Sequence, residues 1–282
     1  MFAQPGPFRT ALRGLALSCH PLPTVGVTAI SAGLAALAGL GLGKGAVFTA
    51  AVFIGQLSVG WSNDWIDAAR DRAVGRPDKP VADGLVPPST VAVAAVISLL
   101  IGVGLAMLLG WRAGLATSAQ FAAGWLYNVG LKTTALSWVP YAAGFGALPA
   151  GAVLARAGHP WPPWWAMAAG AVLGVAAHAA NVLPDLKADR ATGVNGLWHR
   201  LGARATAFAG PLLLVVASAL VLFGPGHIPG WKWVAITVIA GVAGVGLLTG
   251  LRHPERKVLF AATIALAGID LLLFGMSGAQ LY

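Results

Sequence analysis

Two segments of the chain place asparagine, aspartate and arginine at identical spacings. Residues 63–75 and residues 181–193 both read N-x-x-x-D-x-x-x-D-R-A-x-G, and the second copy begins 118 residues after the first (181 minus 63). One D-x-x-x-D pair alone would be weak evidence, because acids are common at the solvated ends of helices. Two copies with the same flanking residues indicate a site that is built twice.

The polar residues of each copy have the side chains that bind hard cations. Spacing of four residues stacks side chains on one face of a helix, where carboxylates repel one another unless a cation neutralises them. Oxygen ligands favour Mg²⁺, which proteins hold through a few carboxylates and the phosphate oxygens of a substrate. The predicted metal ligands are Asn63, Asp64, Asp67, Asp71, Asp185 and Asp189.

The composition of the chain is that of a membrane protein. Of its 282 residues, 57% are hydrophobic and 10% are charged, whereas soluble domains carry about 25% charged residues. Nine apolar segments are long enough to cross a bilayer, which takes about 20 residues. They are 14–43, 45–63, 85–111, 113–131, 133–155, 157–184, 205–231, 233–251 and 258–282. We therefore predict an all-α integral membrane bundle of nine transmembrane helices, folded as a single domain over residues 1–282.

The basic residues predict how this bundle is oriented. With the N-terminus in the cytoplasm, 14 of the 18 lysine and arginine residues fall in inner segments, and the outer side keeps the remaining four. This asymmetry follows the positive-inside rule for a multi-pass protein of the cell membrane. It also explains the net charge of +9 without a nucleic-acid partner. Four helices separate the two motifs, so both are expected on the cytoplasmic face.

In this topological setting the motifs resemble those of the UbiA superfamily of intramembrane prenyltransferases. Residues 63–71 match its N-D-x-x-D-x-x-x-D signature, and Asp185 and Asp189 match its second D-x-x-x-D. Residues 76–80 are similar to its RP-x-[KR]P run. One departure is His20-Pro21, where many members carry Arg-Pro; it argues against an aromatic carboxylate acceptor.

The resemblance implies a helical bundle around a central cavity in which two Mg²⁺ ions bridge the aspartates to an isoprenyl pyrophosphate. The allylic C–O bond would ionise, and an unidentified small acceptor would capture the carbocation within the bilayer. The predicted catalytic residues are Asp67, Asp71, Asp185, Asp189 and Lys132. The predicted substrate-binding residues are Asn63, Arg72, Tyr127, Asn128, Asn181, Lys187 and Arg190.

Three other functions are compatible with the sequence to different degrees. A terpene cyclase would use the same site but let the cation attack the double bonds of its own chain. A secondary transporter would also have an internal repeat, but transporters concentrate ionisable groups near the bilayer midplane. A membrane scaffold would not require two matched acid clusters.

Overall fold

The computed structural model describes residues 7–73, 75, 79–226, 230, 232–276 and 281, and the regular secondary structure in these ranges is helical throughout. The α-helices are, in chain order, α1 (Pro7–Ser18), α2 (Pro21–Leu37), α3 (Leu42–Ala73), α4 (Pro88–Met107), α5 (Trp111–Val129), α6 (Val139–Leu154), α7 (Trp164–Val182), α8 (Leu186–Ala191), α9 (Leu197–Leu201), α10 (Ala203–Phe223), α11 (Lys232–Arg252) and α12 (Val258–Met276). Two short 3₁₀ helices, Leu131–Thr133 and Leu183–Asp185, follow α5 and α7.

The predicted all-α membrane bundle is confirmed, but the count of nine spans is not. Six helices in the described ranges are long and apolar enough to cross a bilayer, and a bent pair, α1 with α2, raises the number to seven. Each of the nine predicted segments does overlap one of the long helices. Two of these helices fall outside the count. One is α6, which has 16 residues; the other is α5, which carries Arg112 and Gln120 among its apolar residues.

The helices form a closed ring. Helix α3 packs on α2, α4 and α5; α6 packs on α5 and α7; and α10 packs on α7 and α11. Helix α12 closes the ring, because it contacts α7 and α10 on one side and α2 on the other. Side chains of α2, α3, α5, α6, α7 and α12 together line a cavity of about 190 Å³, which we call the central cavity.

The junction between α1 and α2 brings the chain back toward α3. The two helices meet at 60°. His20 stands between them in the left-handed region (φ 54°, ψ 71°), and Pro21 begins α2. Proline suits a first helical position because its missing N–H needs no partner there. At this junction the Cys19 carbonyl lies against Gly60 of α3, where a Cβ would be 2.3 Å from the Cys19 oxygen.

Replacing Gly60 with alanine should therefore destabilise the bundle. The added methyl group must push the backbone of residue 19 away from α3, and such overpacking costs about 1–3 kcal/mol. Thermal unfolding followed by circular dichroism in detergent should show a lower midpoint for Gly60→Ala than for the wild type.

Gly43→Ala is the matched control on the same helix, because a Cβ at Gly43 meets nothing within 4 Å. Its midpoint should be unchanged or slightly higher. Equal midpoints for Gly60→Ala and the wild type would contradict the close approach.

Candidate functional site

The two motifs meet in one polar cavity at one end of the bundle. The cavity has a volume of about 330 Å³, and we call the end of the bundle where it opens the motif end. Each motif contributes three asparagine or aspartate side chains to its wall. These six are Asn63, Asp64, Asp67, Asn181, Asp185 and Asp189.

The two motifs reach this cavity through different local structures. The first lies on the continuous helix α3, so its side chains share one face, as the spacing predicts. The second lies where a helix is interrupted: α7 ends at Val182, residues 183–185 form a 3₁₀ turn around Pro184, and α8 carries Asp189. Proline removes a backbone donor and disrupts a regular helix. The interruption redirects Asp185 and Asp189 toward the cavity that α3 also lines.

Basic side chains from distant segments contact the carboxylate of Asp64. Lys79 Nζ donates to Asp64 Oδ1 at 2.7 Å, and His20 Nε2 lies 3.0 Å from the same oxygen. Lys79 is also 3.9 Å from Asp71, which is 1% exposed and does not line the polar cavity. Asp71 therefore lies behind the cavity wall, where its charge attracts Lys79.

A second group of cations surrounds Asp67. Lys132, in the 3₁₀ turn after α5, donates to Asp67 Oδ1, and Arg70 Nη2 lies 2.7 Å from Oδ2. Lys132 is 6% exposed, and burial lowers the pKa of its amino group while Asp67 acts in the opposite direction. The Lys132 ammonium is thus held at the wall of the cavity, beside a predicted metal ligand.

Asn128 positions Asn63. Its amide oxygen accepts a hydrogen bond from Asn63 Nδ2 at 3.0 Å, and its own Nδ2 donates to the Val59 carbonyl and to Ser62 Oγ. These bonds fix the orientation of the Asn63 side chain, whose amide oxygen lies 3.5 Å from Lys79 Nζ. Asn128 lines the central cavity and not the polar one.

Besides Asn128, three more of the predicted substrate-binding residues do not line the polar cavity. Arg72 is exposed and donates to the Val81 carbonyl at 3.3 Å. Arg190 donates to the backbone carbonyl of His199, and Lys187 is exposed. Because these three residues lie within the motifs, the sequence predicts that their positive charges help to bind the substrate. The structure differs because backbone carbonyls accept the two guanidinium groups on the outside of the site.

Several residues that complete the site carry no periodic signal. Arg70 could have been found from its position three residues after Asp67, but His20 and Lys79 reach the carboxylates across the fold. Tyr127 and Tyr141 line the central cavity with ring centroids 5.2 Å apart, and Tyr127 also lines the polar cavity. Arg76, Pro77 and Asp78 of the predicted R-P-x-K-P run lie outside the described residues.

His178 supports this aromatic wall from behind. It is 1% exposed and lines neither cavity, its ring stacks on Tyr141 with centroids 4.5 Å apart, and Trp198 Nε1 donates to its Nδ1 at 2.9 Å.

Asp270, the acid within α12, accepts a hydrogen bond from Ser218 Oγ at 2.9 Å and so connects α12 to α10.

The oxygen atoms of the polar cavity suit Mg²⁺ that is shared with a ligand. Within the described ranges, no three acidic, histidine or cysteine side chains lie close enough to hold an ion by themselves. Mg²⁺ commonly binds one or two carboxylates together with phosphate oxygens and water. The lining carboxylates are also separated into two groups, one from each motif. This donor set fits ions that bridge each group to a phosphorylated substrate.

The family follows from a comparison of the whole sequence. The model of the UbiA prenyltransferase family matches residues 24–274, which span both motifs. The chain belongs to the UbiA prenyltransferase family. No curated protein sequence is significantly similar to it.

Solved UbiA structures share the fold over nearly the full length of the chain. A UbiA homologue from Archaeoglobus fulgidus, bound to GPP and Mg²⁺, has a TM-score of 0.67 at 10% identity, covering 93% of this chain and 98% of that one. The same homologue bound to DMAPP and Mg²⁺ has a TM-score of 0.67 at 11% identity, with the same coverage. A digeranylgeranylglyceryl phosphate synthase has a TM-score of 0.61 at 16% identity, covering 94% and 97%.

The buried pair formed by Lys79 and Asp64 yields a prediction about stability. Lys79→Met should lower the free energy of unfolding by about 3 kcal/mol, because it leaves a buried carboxylate without its closest cation. Chemical denaturation in detergent, without Mg²⁺ or substrate, measures this effect.

The double variant Lys79→Met/Asp64→Asn should regain most of the loss, since the stranded charge is removed as well. Lys187→Met is the control, because Lys187 is exposed at the same end of the bundle. A single Lys79→Met variant as stable as the wild type would show that the pair is unimportant for folding.

Proposed function

We propose that the protein is a Mg²⁺-dependent prenyltransferase that transfers an isoprenyl group from its pyrophosphate to a small acceptor inside the membrane. The observation that carries this proposal is the junction of two unlike cavities. The polar cavity with its carboxylates and cations and the apolar central cavity share His20, Pro23, Asn63, Tyr127, Asn181 and Phe260 in their walls. An isoprenyl pyrophosphate has the same two parts, a multiply charged head and a hydrocarbon tail.

The polar cavity would bind the head group. Arg70, Lys79 and Lys132 line it and supply donors that match phosphate oxygens. Bound Mg²⁺ would neutralise the charge that develops on pyrophosphate as the C–O bond breaks. The carboxylates that would hold it are Asp64, Asp67, Asp185 and Asp189, together with the amide oxygens of Asn63 and Asn181.

The central cavity would bind the tail and protect the carbocation. When the allylic C–O bond breaks, both bonding electrons leave with pyrophosphate, and the positive charge remains on the isoprenyl carbons. Tyr127 belongs to the shared wall and Tyr141 lines the central cavity, where aromatic rings can stabilise a cation. The acceptor nucleophile then bonds to the cationic carbon and loses a proton. The apolar lining disfavours water, which would otherwise compete with the acceptor.

The ligands of the similar structures support an isoprenyl pyrophosphate and Mg²⁺ as the ligands of this protein. The Archaeoglobus fulgidus homologue has been solved with GPP and Mg²⁺ and with DMAPP and Mg²⁺. We also place the motif end in the cytoplasm of a cell-membrane protein, because most lysine and arginine residues flank the apolar segments at that end.

A terpene cyclase is the second candidate, and the aromatic wall favours it. Tyr127, Tyr141 and Phe145 follow one another along the central cavity, with the Tyr141 and Phe145 rings stacked at 6.5 Å. Such a row could stabilise a cation that moves along a folded chain. A transporter is a weaker candidate, because the acids of both motifs lie together at one end of the bundle.

Pyrophosphate release tests the ionisation step that both candidates share. Purified protein with Mg²⁺, an isoprenyl pyrophosphate and a cell lipid extract should release pyrophosphate. Asp67→Asn and Asp189→Asn should each lower the rate about 100-fold, as expected when electrostatic stabilisation of a leaving group is lost. Asp83→Asn is the control, since Asp83 is exposed and does not line the cavity. Equal rates in the wild type and both site variants would refute the proposal.

The acceptor requirement separates the two candidates. For a transferase, release should depend on the lipid extract and give a prenylated product that mass spectrometry can identify. Release without extract, accompanied by a cyclic hydrocarbon or alcohol in gas chromatography, would instead establish the cyclase.

A further inference from the structure

A second cavity adjoins the central cavity on the side away from the motif end, and its wall is apolar apart from Asp270, whose carboxylate accepts a hydrogen bond from Ser218. It has a volume of about 80 Å³, and we call it the outer cavity. Trp165 and Phe274 line it, with ring centroids 5.3 Å apart. Leu281, which is 2% exposed, also contributes to its wall.

Four helices place the two cavities one after the other along the bundle, and we call the two cavities together the channel. In each of these helices, the residues nearer the motif end line the central cavity and the residues farther from the motif end line the outer cavity. The four helices are α2, α6, α7 and α12. Each helix contributes one side chain to both walls. These four residues, which we call the junction ring, are Ile30, Phe145, Leu173 and Ala267.

Helix α12 provides a scale for the length of this channel. Phe260 lies where the polar and central cavities meet, Ala267 is in the junction ring, and Phe274 lines the outer cavity. At about 1.5 Å per residue, the seven residues from Phe260 to Ala267 cover about 10 Å, and the next seven cover about 10 Å more. In an extended isoprenoid, each unit adds four carbon–carbon bonds of about 1.5 Å, which advance about 5 Å in a zigzag. The junction ring therefore lies about two isoprene units from the head group, and Phe274 lies about four.

We propose that this channel selects isoprenyl pyrophosphates of three to four units, whose distal units pass the junction ring and occupy the outer cavity. The inference rests on the proposed function, since it assumes that the head group binds in the polar cavity. A geranyl chain of two units ends at the ring and leaves the outer cavity empty. A farnesyl or geranylgeranyl chain buries its additional hydrocarbon there, and burial of apolar surface strengthens binding.

The first test compares donors of different length in the wild-type protein. With Mg²⁺ and lipid extract, kcat/KM for geranylgeranyl pyrophosphate should exceed that for geranyl pyrophosphate at least tenfold. Calorimetry can use the S-thiolodiphosphates of the same two alcohols, whose allylic C–S bond resists cleavage, and it needs no acceptor. The geranylgeranyl analogue should bind more tightly than the geranyl analogue. A preference for the geranyl compound in both measurements would overturn the inference.

The second test changes the junction ring. Ala267→Leu adds three carbon atoms to a wall residue that is 4% exposed, so it should lower kcat/KM for geranylgeranyl pyrophosphate at least tenfold more than for geranyl pyrophosphate. Ala265→Leu makes the same change on the exposed face of the same helix and should leave the ratio unaltered. Phe145→Ala removes the largest ring side chain and should raise the ratio of geranylgeranyl to geranyl turnover.

The outcomes distinguish this inference from the proposed function. Two results would show that the outer cavity does not bind the tail. One is an equal loss of kcat/KM for both donors in Ala267→Leu, and the other is an unchanged ratio in both ring variants. The prenyltransferase assignment would stand in either case. If the wild type neither releases pyrophosphate from any donor nor binds an S-thiolodiphosphate, the proposed function itself is wrong. A poorly folded Ala267→Leu variant leaves Phe145→Ala and the wild-type comparison to decide.

Discussion

Repulsion among carboxylates at the edge of an apolar bundle is the constraint on which the rest of the site depends. Asp64, Asp67 and Asp71 are each 5% exposed or less, and they lie on one face of one helix. Anions this close and this poorly hydrated require cations nearby. In the described structure, lysine and arginine side chains take that role. The first motif is therefore stable only because distant segments converge on it, and the same cations then surround any anion that enters the cavity.

The sequence predicts the features that depend on short-range periodicity. Spacing of four residues correctly predicts that the first motif shares a helix face, and Pro184 indicates where the second motif interrupts a helix. The sequence does not predict contacts between segments that are distant in the chain. His20 reaches Asp64 because the chain adopts a left-handed conformation before Pro21, and Arg190 turns away because the His199 carbonyl accepts its guanidinium group.

The predicted count of nine membrane spans is not confirmed for a related reason. Hydropathy counts apolar residues without regard to what faces lipid and what faces a cavity. Helix α5 carries Gln120 and Asn128 into the central cavity, so its mean hydropathy is low although it is part of the helix ring. Polar residues that line an internal cavity thus lower the mean hydropathy by which a helix is identified as a membrane span. Helices that line a functional cavity are therefore the ones that hydropathy fails to identify.

The division of the interior into polar and apolar stages has a chemical consequence. An allylic pyrophosphate must ionise where its leaving group is stabilised, but its carbocation must be kept from water. These needs are opposed in a single solvent, because the medium that solvates pyrophosphate also quenches the cation. In the proposed function the two needs are met on either side of the wall that includes Asn63, Tyr127 and Asn181. In the proposed binding mode the head group lies at the bundle end and the tail lies toward the interior, so that the bilayer excludes water from the carbon centre. A helical membrane protein suits such chemistry for this reason.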